Sequence, residues 1–258
     1  MDTVRQLTLP LRRQHTREDA AGYIYWETVT EARALPVDQT ALVLCDVWDR
    51  NWCRGANERL APLLPRMNHL AGTLRDAGML IVHAPSETMD FYAGQPARRR
   101  VLDVPRVAPP SPLPHIDPPL PIDDSDGGCD TPPDAFDTLN RPWTRQDPAI
   151  YIDQDRDVIS DSGTELYSFY RRRGITTVLF MGVHANMCIL GRSFAIKAMV
   201  RAGIDTVLIR DLTDSMYNPA MRPYVSHDAG NALVVDYIEK FWSPTVTSAE
   251  VIERVTRL

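Results

Sequence analysis

Cys188 and Asp46 are the two side chains whose types and settings can do covalent chemistry together. Cys188 closes the stretch Gly182-Val183-His184-Ala185-Asn186-Met187-Cys188, where the apolar run Thr177-Val178-Leu179-Phe180-Met181 gives way to a helical pattern. A thiol at a helix N-terminus meets unpaired backbone N–H groups and the positive end of the dipole. Both lower its pKa and favour the nucleophilic thiolate. Spacing alone leaves a buried structural cysteine as the alternative. Asp46 ends a second apolar run, Thr40-Ala41-Leu42-Val43-Leu44-Cys45. A thiolate attacking a carbonyl needs a neighbour that takes up the thiol proton and returns it to the leaving amine. The tetrahedral oxyanion needs N–H donors, and the backbone turn through His184, Ala185 and Met187 offers them.

The elements that must position these groups alternate. After the strand ending at Asp46 come a helix over about 58–76, closed by Gly78, and a strand Met79–His83. The rhythm then breaks over 85–148, where eight of the 21 residues from Val101 to Pro121 are proline and exclude regular helix or inner strand. So long a stretch suggests a lid, an oligomer arm or a mobile insert. The alternation resumes with a strand at Ala149–Asp153 and a helix at Gly163–Arg173. A strand at 177–181, a helix at 188–202 and a strand at 206–211 follow. A helix at Asp228–Phe241 and a short strand and helix over about 245–257 complete the pattern. Continuous apolar strands suit a parallel sheet covered on both faces, so the pattern predicts a doubly wound α/β fold. Residues 1–37 read as an N-terminal β-rich extension, a hairpin or edge strands, and 38–258 as the main domain with its proline-rich insert. Ligands in such folds bind beyond the carboxyl ends of the strands, at the switch point of strand order. Asp46, His83, Asp153, the His184–Cys188 turn and Asp211 lie at those ends.

Bulk properties narrow the function classes. The net charge of −6 and pI near 5.5 disfavour nucleic acid and anionic membrane surfaces as partners. No apolar run reaches the roughly 18 residues of a membrane span, and Met1-Asp2-Thr3-Val4-Arg5 lacks a secretory layout. The four cysteines, Cys45, Cys53, Cys129 and Cys188, form no CxxC pair, so the expectation is a cytoplasmic protein with reduced thiols. Of 28 basic residues only Lys197 and Lys240 are lysine.

Asp46, the Gly182–Cys188 segment and the strand Val207-Leu208-Ile209-Arg210-Asp211 together resemble the isochorismatase-like cysteine hydrolases, a superfamily that includes nicotinamidases. The resemblance covers about residues 38–215 in motifs. It implies a six-stranded parallel sheet in order 3-2-1-4-5-6, with helices on both faces and Asp46 and Cys188 meeting at the switch point. It also implies a cis peptide before His184, Cys188 as nucleophile and Asp46 as proton acceptor and donor. The family's third catalytic residue is a lysine after the third strand, ahead of the Gly-Thr that here reads Gly163-Thr164. This chain carries Asp153-Gln154-Asp155-Arg156-Asp157 there. Lys197 lies about 900° around a helix from Cys188, on the opposite face, and Lys240 belongs to a late helix. Arg156, or an arginine of the insert such as Arg145, can supply the charge, though not a proton at neutral pH. His83 or His184 can do acid–base work, or the thiol chemistry is lost.

Trp48 stands where the family often has glutamine and offers a flat wall for a ring. Trp52 and His83 complete the expected substrate-binding set, and Cys53 reads as a spectator or a second thiol. Nicotinamidases hold a divalent ion with Asp and His after the second strand. Here the stretch His83–Asp90 lacks that close spacing; Asp49, His83 and Asp90 are the residues that could converge as N/O ligands, and no metal and no other cofactor is expected. The reading is a hydrolase of a small, ring-containing amide working through a cysteine thioester, as a homo-oligomer (dimer or tetramer). A noncatalytic metabolite-binding relative and an isochorismatase-type vinyl-ether hydrolase are the alternatives.

Overall fold

Each central strand is apolar on both sides, and the chain accordingly builds one sheet between two layers of helix. The computed structural model describes residues 5–132 and 141–258. Residues 1–4 of the N-terminal extension and 133–140 of the insert lie outside the described residues. In chain order the elements are β1 (Gln6–Glu18), β2 (Ile24–Pro36), β3 (Thr40–Cys45), α1 (Arg54–Leu60), α2 (Leu64–Asp76), β4 (Leu80–Ala84), α3 (Pro96–Leu102) and β5 (Val158–Ile159). There follow α4 (Gly163–Arg173), β6 (Thr177–Val183), α5 (Cys188–Gly191), α6 (Ile196–Arg201), β7 (Asp205–Asp214), α7 (His227–Phe241), β8 (Thr245–Val246) and α8 (Ser248–Val255).

The eight strands run in the order β2-β1-β8-β7-β6-β3-β4-β5. The six from β3 to β8 pair in parallel. Counted along the chain from β3, their order is the expected 3-2-1-4-5-6. The addition is the antiparallel hairpin β1–β2, which joins the β8 edge through Arg12 and Thr245. Alternation along β3 explains the two layers. Ala41, Val43 and Cys45 enter one core with residues of α4 to α7, while Leu42 and Leu44 enter the other with residues of α2, α8 and β1. The switch point falls between β3 and β6, so the carboxyl ends of these two strands frame the site.

Local chemistry explains where the elements depart from periodicity. The helix expected over 58–76 is two helices, because Pro62 cannot donate to the preceding turn and Pro65 then sits in the first turn of α2. The expected strand 149–153 is a loop. Asp153 accepts from the N–H groups of Asp155 and Arg156 in a turn, and the third core strand is the short β5 that follows. The helix expected over 188–202 breaks after one turn, with Arg192 extended. There the backbone of Ser193 packs so closely on Gly163 that any Cβ at Gly163 would strike its carbonyl oxygen. The strand expected to end at Asp211 continues to Asp214, and Asp211 instead holds the start of α8 through the Ser248 N–H at 2.7 Å.

The thiols also differ from expectation. Cys53 and Cys129 form a disulfide across 76 residues, which removes the basis on which a reducing cytoplasm was expected. Cys45 and Cys188 are the free cysteines. Among the described residues no helix is long and apolar enough to cross a membrane.

Candidate active site

Asp46 leaves β3 in the left-handed region, with φ 49°. Its N–H donates to Ala84 at 3.0 Å, which turns the carboxylate toward the adjoining end of β6. The approach is close: Gly182 has φ 121°, and a Cβ there would collide with the Cys45 carbonyl. Only glycine lets the two strand ends come this near.

The Asp46 carboxylate is fully buried and has three partners. Oδ1 accepts the Ser86 N–H at 2.7 Å, Oδ2 accepts Arg192 Nε at 2.9 Å, and the Cys188 thiol lies beside it. Burial raises the Asp46 pKa, against the pull of the Arg192 guanidinium and of the hydrogen bonds. Burial also pushes Cys188 up to about 12, reinforced by the Asp46 charge and opposed by Arg192. The resting thiol is therefore protonated, contrary to the expectation from a helix N-terminus. A four-residue helix brings little dipole, and burial beside a carboxylate outweighs it.

Within the turn, the peptide before His184 is cis, as the resemblance implies. The N–H of His184 lies near the Cys188 sulfur and favours a thiolate there. The N–H of Cys188 donates to no other backbone group among the described residues. The other two expected donors are spoken for: Ala185 donates to Asp214 at 2.7 Å and Met187 to His184 at 3.1 Å. Burial depresses the His184 imidazole to about 4, so at neutral pH it is uncharged.

The remaining expected residues divide. Trp48 is buried at the site, stacked on Trp143 at 4.2 Å, its ring 5.9 Å from the Arg192 guanidinium carbon. It is thus a support for that cation rather than an open wall. Trp52 packs over Gly127 near the disulfide, beside Met187. His83 does not face the thiol. Both its ring nitrogens are engaged, Nδ1 with Gln146 at 2.9 Å and Nε2 with Asp157 at 3.0 Å, behind an Arg75–Asp157 ion pair. Arg156 precedes β5 and so lies at the opposite end of the sheet from Asp46. It pairs with Asp153 at 2.7 Å and Asp76 at 3.2 Å, and cannot stand in for the lysine. Arg145 lies over Phe91, and Lys197 pairs with Asp117. The divalent-ion reading does not fit either. His83 is closed, Asp49 accepts from the Thr144 N–H and hydroxyl, and among the described residues no three ligating side chains converge.

Two features escape sequence reasoning. One is Arg192, four residues after Cys188 and hence one turn on, a spacing that could have found it. The other is a half-buried charge cluster behind the turn. Arg59 binds Asp214 at 2.9 Å and Asp130 at 2.7 Å, and His227 Nε2 lies 2.9 Å from Asp214. Because Asp214 also accepts the Ala185 N–H, the cluster holds the turn in place. The insert closes over the same end of the sheet. Asp124 accepts from Asn186 at 2.7 Å, and Cys129 is tied to the start of α1.

Comparison with solved structures bears on the fold. A cysteine hydrolase from Pseudomonas syringae pv. phaseolicola 1448A superposes with a TM-score of 0.55 at 17% identity, over 86% of this chain and 95% of that one. A candidate isochorismatase from Burkholderia xenovorans LB400 gives 0.51 at 15% identity, over 85% and 88%. The chain has the isochorismatase-like α/β fold. An isochorismatase family protein from Burkholderia thailandensis superposes less closely, with a TM-score of 0.47 at 18% identity over 85% and 96%. No family model matches the sequence, and no curated protein does.

Proposed function

We propose that the protein is a cysteine-dependent hydrolase of a small, ring-containing amide. The observation that carries this reading is the placement of the half-buried Cys188 thiol beside the buried Asp46 carboxylate, at the adjoining ends of β3 and β6. Cys188 sulfur attacks the amide carbonyl carbon as its proton passes to Asp46, and the oxyanion settles against the His184 and Cys188 N–H groups. Asp46 returns the proton to the nitrogen, the C–N bond breaks, and a thioester remains. Water then adds to the thioester with Asp46 again taking the proton, which gives the acid and restores the thiol.

An ammonia-release screen over small primary amides tests this, with wild type, Cys188→Ala and Asp46→Asn run in parallel. Turnover by wild type alone is the expected result; equal release by wild type and Cys188→Ala for every amide overturns it. The metabolite-binding alternative is favoured by one observation, the raised Cys188 pKa. Under that alternative, ring amides would bind unchanged and equally to wild type and Cys188→Ala. A homo-oligomer is part of the same proposal. The outer edge of β2 has no neighbour in the sheet and exposes Tyr23 and Ile24 at its start, a surface that a second copy can cover. Light scattering on the intact protein reads this directly.

A further inference from the structure

We propose that Arg192 is the fixed cation of the site, holding Asp46 ionised beside the thiol while leaving Asp46 as the sole carrier of the proton. The inference deepens the hydrolase reading and rests on it for its catalytic meaning. A fully buried carboxylate without a counter-charge takes up a proton and can no longer accept one from a thiol. Arg192 supplies that counter-charge through Nε at 2.9 Å from Oδ2.

Its placement is over-determined by the fold. Residue 192 is extended, directly after the single turn of α5, and the next residue packs on Gly163. Beneath the guanidinium lies Trp48, held by Trp143 and by its own Nε1 bond to Ser86 at 3.0 Å. On its other side Glu87 lies 3.8 Å away and itself pairs with Arg141 at 3.3 Å. The charged and titratable groups facing Asp46 are thus Arg192 and Cys188, with Cys45 adjacent in the chain and Glu87 behind the guanidinium. Among the described residues Arg192 alone forms an ion pair with Asp46.

An arginine differs from a lysine in one respect that matters here: it stays protonated and cannot pass a proton to a leaving group. Arg192 therefore works through Asp46, as a positioning residue, and the thiol proton and the proton given to the nitrogen are one and the same.

The test reads Asp46 directly and needs no substrate. Protein carrying carboxyl-labelled ¹³C-aspartate is titrated by NMR as wild type, Arg192→Gln and Arg192→Lys, with Asp46→Asn assigning the resonance. The Asp46 midpoint should rise by about 1–3 pH units in Arg192→Gln and return toward wild type in Arg192→Lys. An unchanged midpoint in folded Arg192→Gln overturns the proposal. If Arg192→Gln does not fold, Arg192→Lys decides: a midpoint near wild type supports the proposal and a raised one overturns it. Failure of the hydrolase reading shows separately, as equal ammonia release by wild type and Cys188→Ala.

Discussion

Alkylation of Cys188 should be slow in the resting protein, and its rate would measure the electrostatics of the site. The thiol stands at about 12 against an ordinary 9.0. At pH 7 the thiolate fraction is then about 10³-fold below that of an ordinary thiol. A more basic thiolate is also a better nucleophile, by about 20-fold over the same interval when rate follows basicity with a coefficient of about 0.45. The net expectation is labelling by iodoacetamide about 50-fold slower than a free cysteine at pH 7, before any steric hindrance.

The assay is mass spectrometry of intact protein against time, with Cys188→Ala to subtract Cys45. Replacing Asp46 by Asn removes the carboxylate charge that reinforces burial, and should speed labelling several-fold at pH 8. Labelling of wild type faster than free cysteine at pH 7 would refute the reasoning, since it would require a resting thiolate despite burial. Slow labelling is compatible with the proposed reaction, in which the carboxylate takes the proton only as the sulfur attacks.

Three further outcomes follow from the disulfide and from His184. Unfolded without reductant, the protein should expose two thiols to a colorimetric reagent and four after reduction; four at the outset would remove the Cys53–Cys129 bridge. Cys53→Ser with Cys129→Ser should cost about 2–4 kcal/mol and lower the melting temperature by roughly 5–10 °C. His184 is held neutral by burial, with a folded pKa of about 4 against 6.5. The unfolded chain then binds the extra proton first, so stability falls as pH drops from 6.5 toward 4, by about 3 kcal/mol from this group. His184→Gln should flatten that part of the stability–pH curve, and an unaltered slope would place the loss elsewhere.

What the sequence made legible is whatever one element expresses by itself. Helix α4 has the expected ends because Ser162 caps it and Gly174 closes it at φ 71°. The parallel core follows from apolar runs that face two layers, and Asp46 and Cys188 stand at strand ends where such folds bind ligands. Partners distant in the chain were not legible. Arg192 meets Asp46 across 146 residues, Arg59 meets Asp214 across 155, and Cys53 meets Cys129 across 76. Charge at a given spot says little until the fold decides which carboxylate it faces. Arg156 illustrates this: it stands at the expected distance in sequence but at the wrong end of β5.

The insert shows the same logic from the other side. Past α3 its prolines deny it regular helix or strand, so side chains hold it: Asp117 takes Lys197 and Arg201 on the helical face, while a second set of holds reaches the end of the sheet that carries Asp46. Asp130 takes Arg59, Asp124 takes Asn186, Thr144 takes Asp49, and Trp143 stacks on Trp48. Two of these partners, Asn186 and Trp48, touch the turn and the cation that govern Cys188. A segment fastened in this way is part of the site's wall. The disulfide lies in the same small apolar cluster as Met187. The insert and the turn before Cys188 therefore pack against each other, which is how a stretch without periodicity comes to line the surroundings of that thiol.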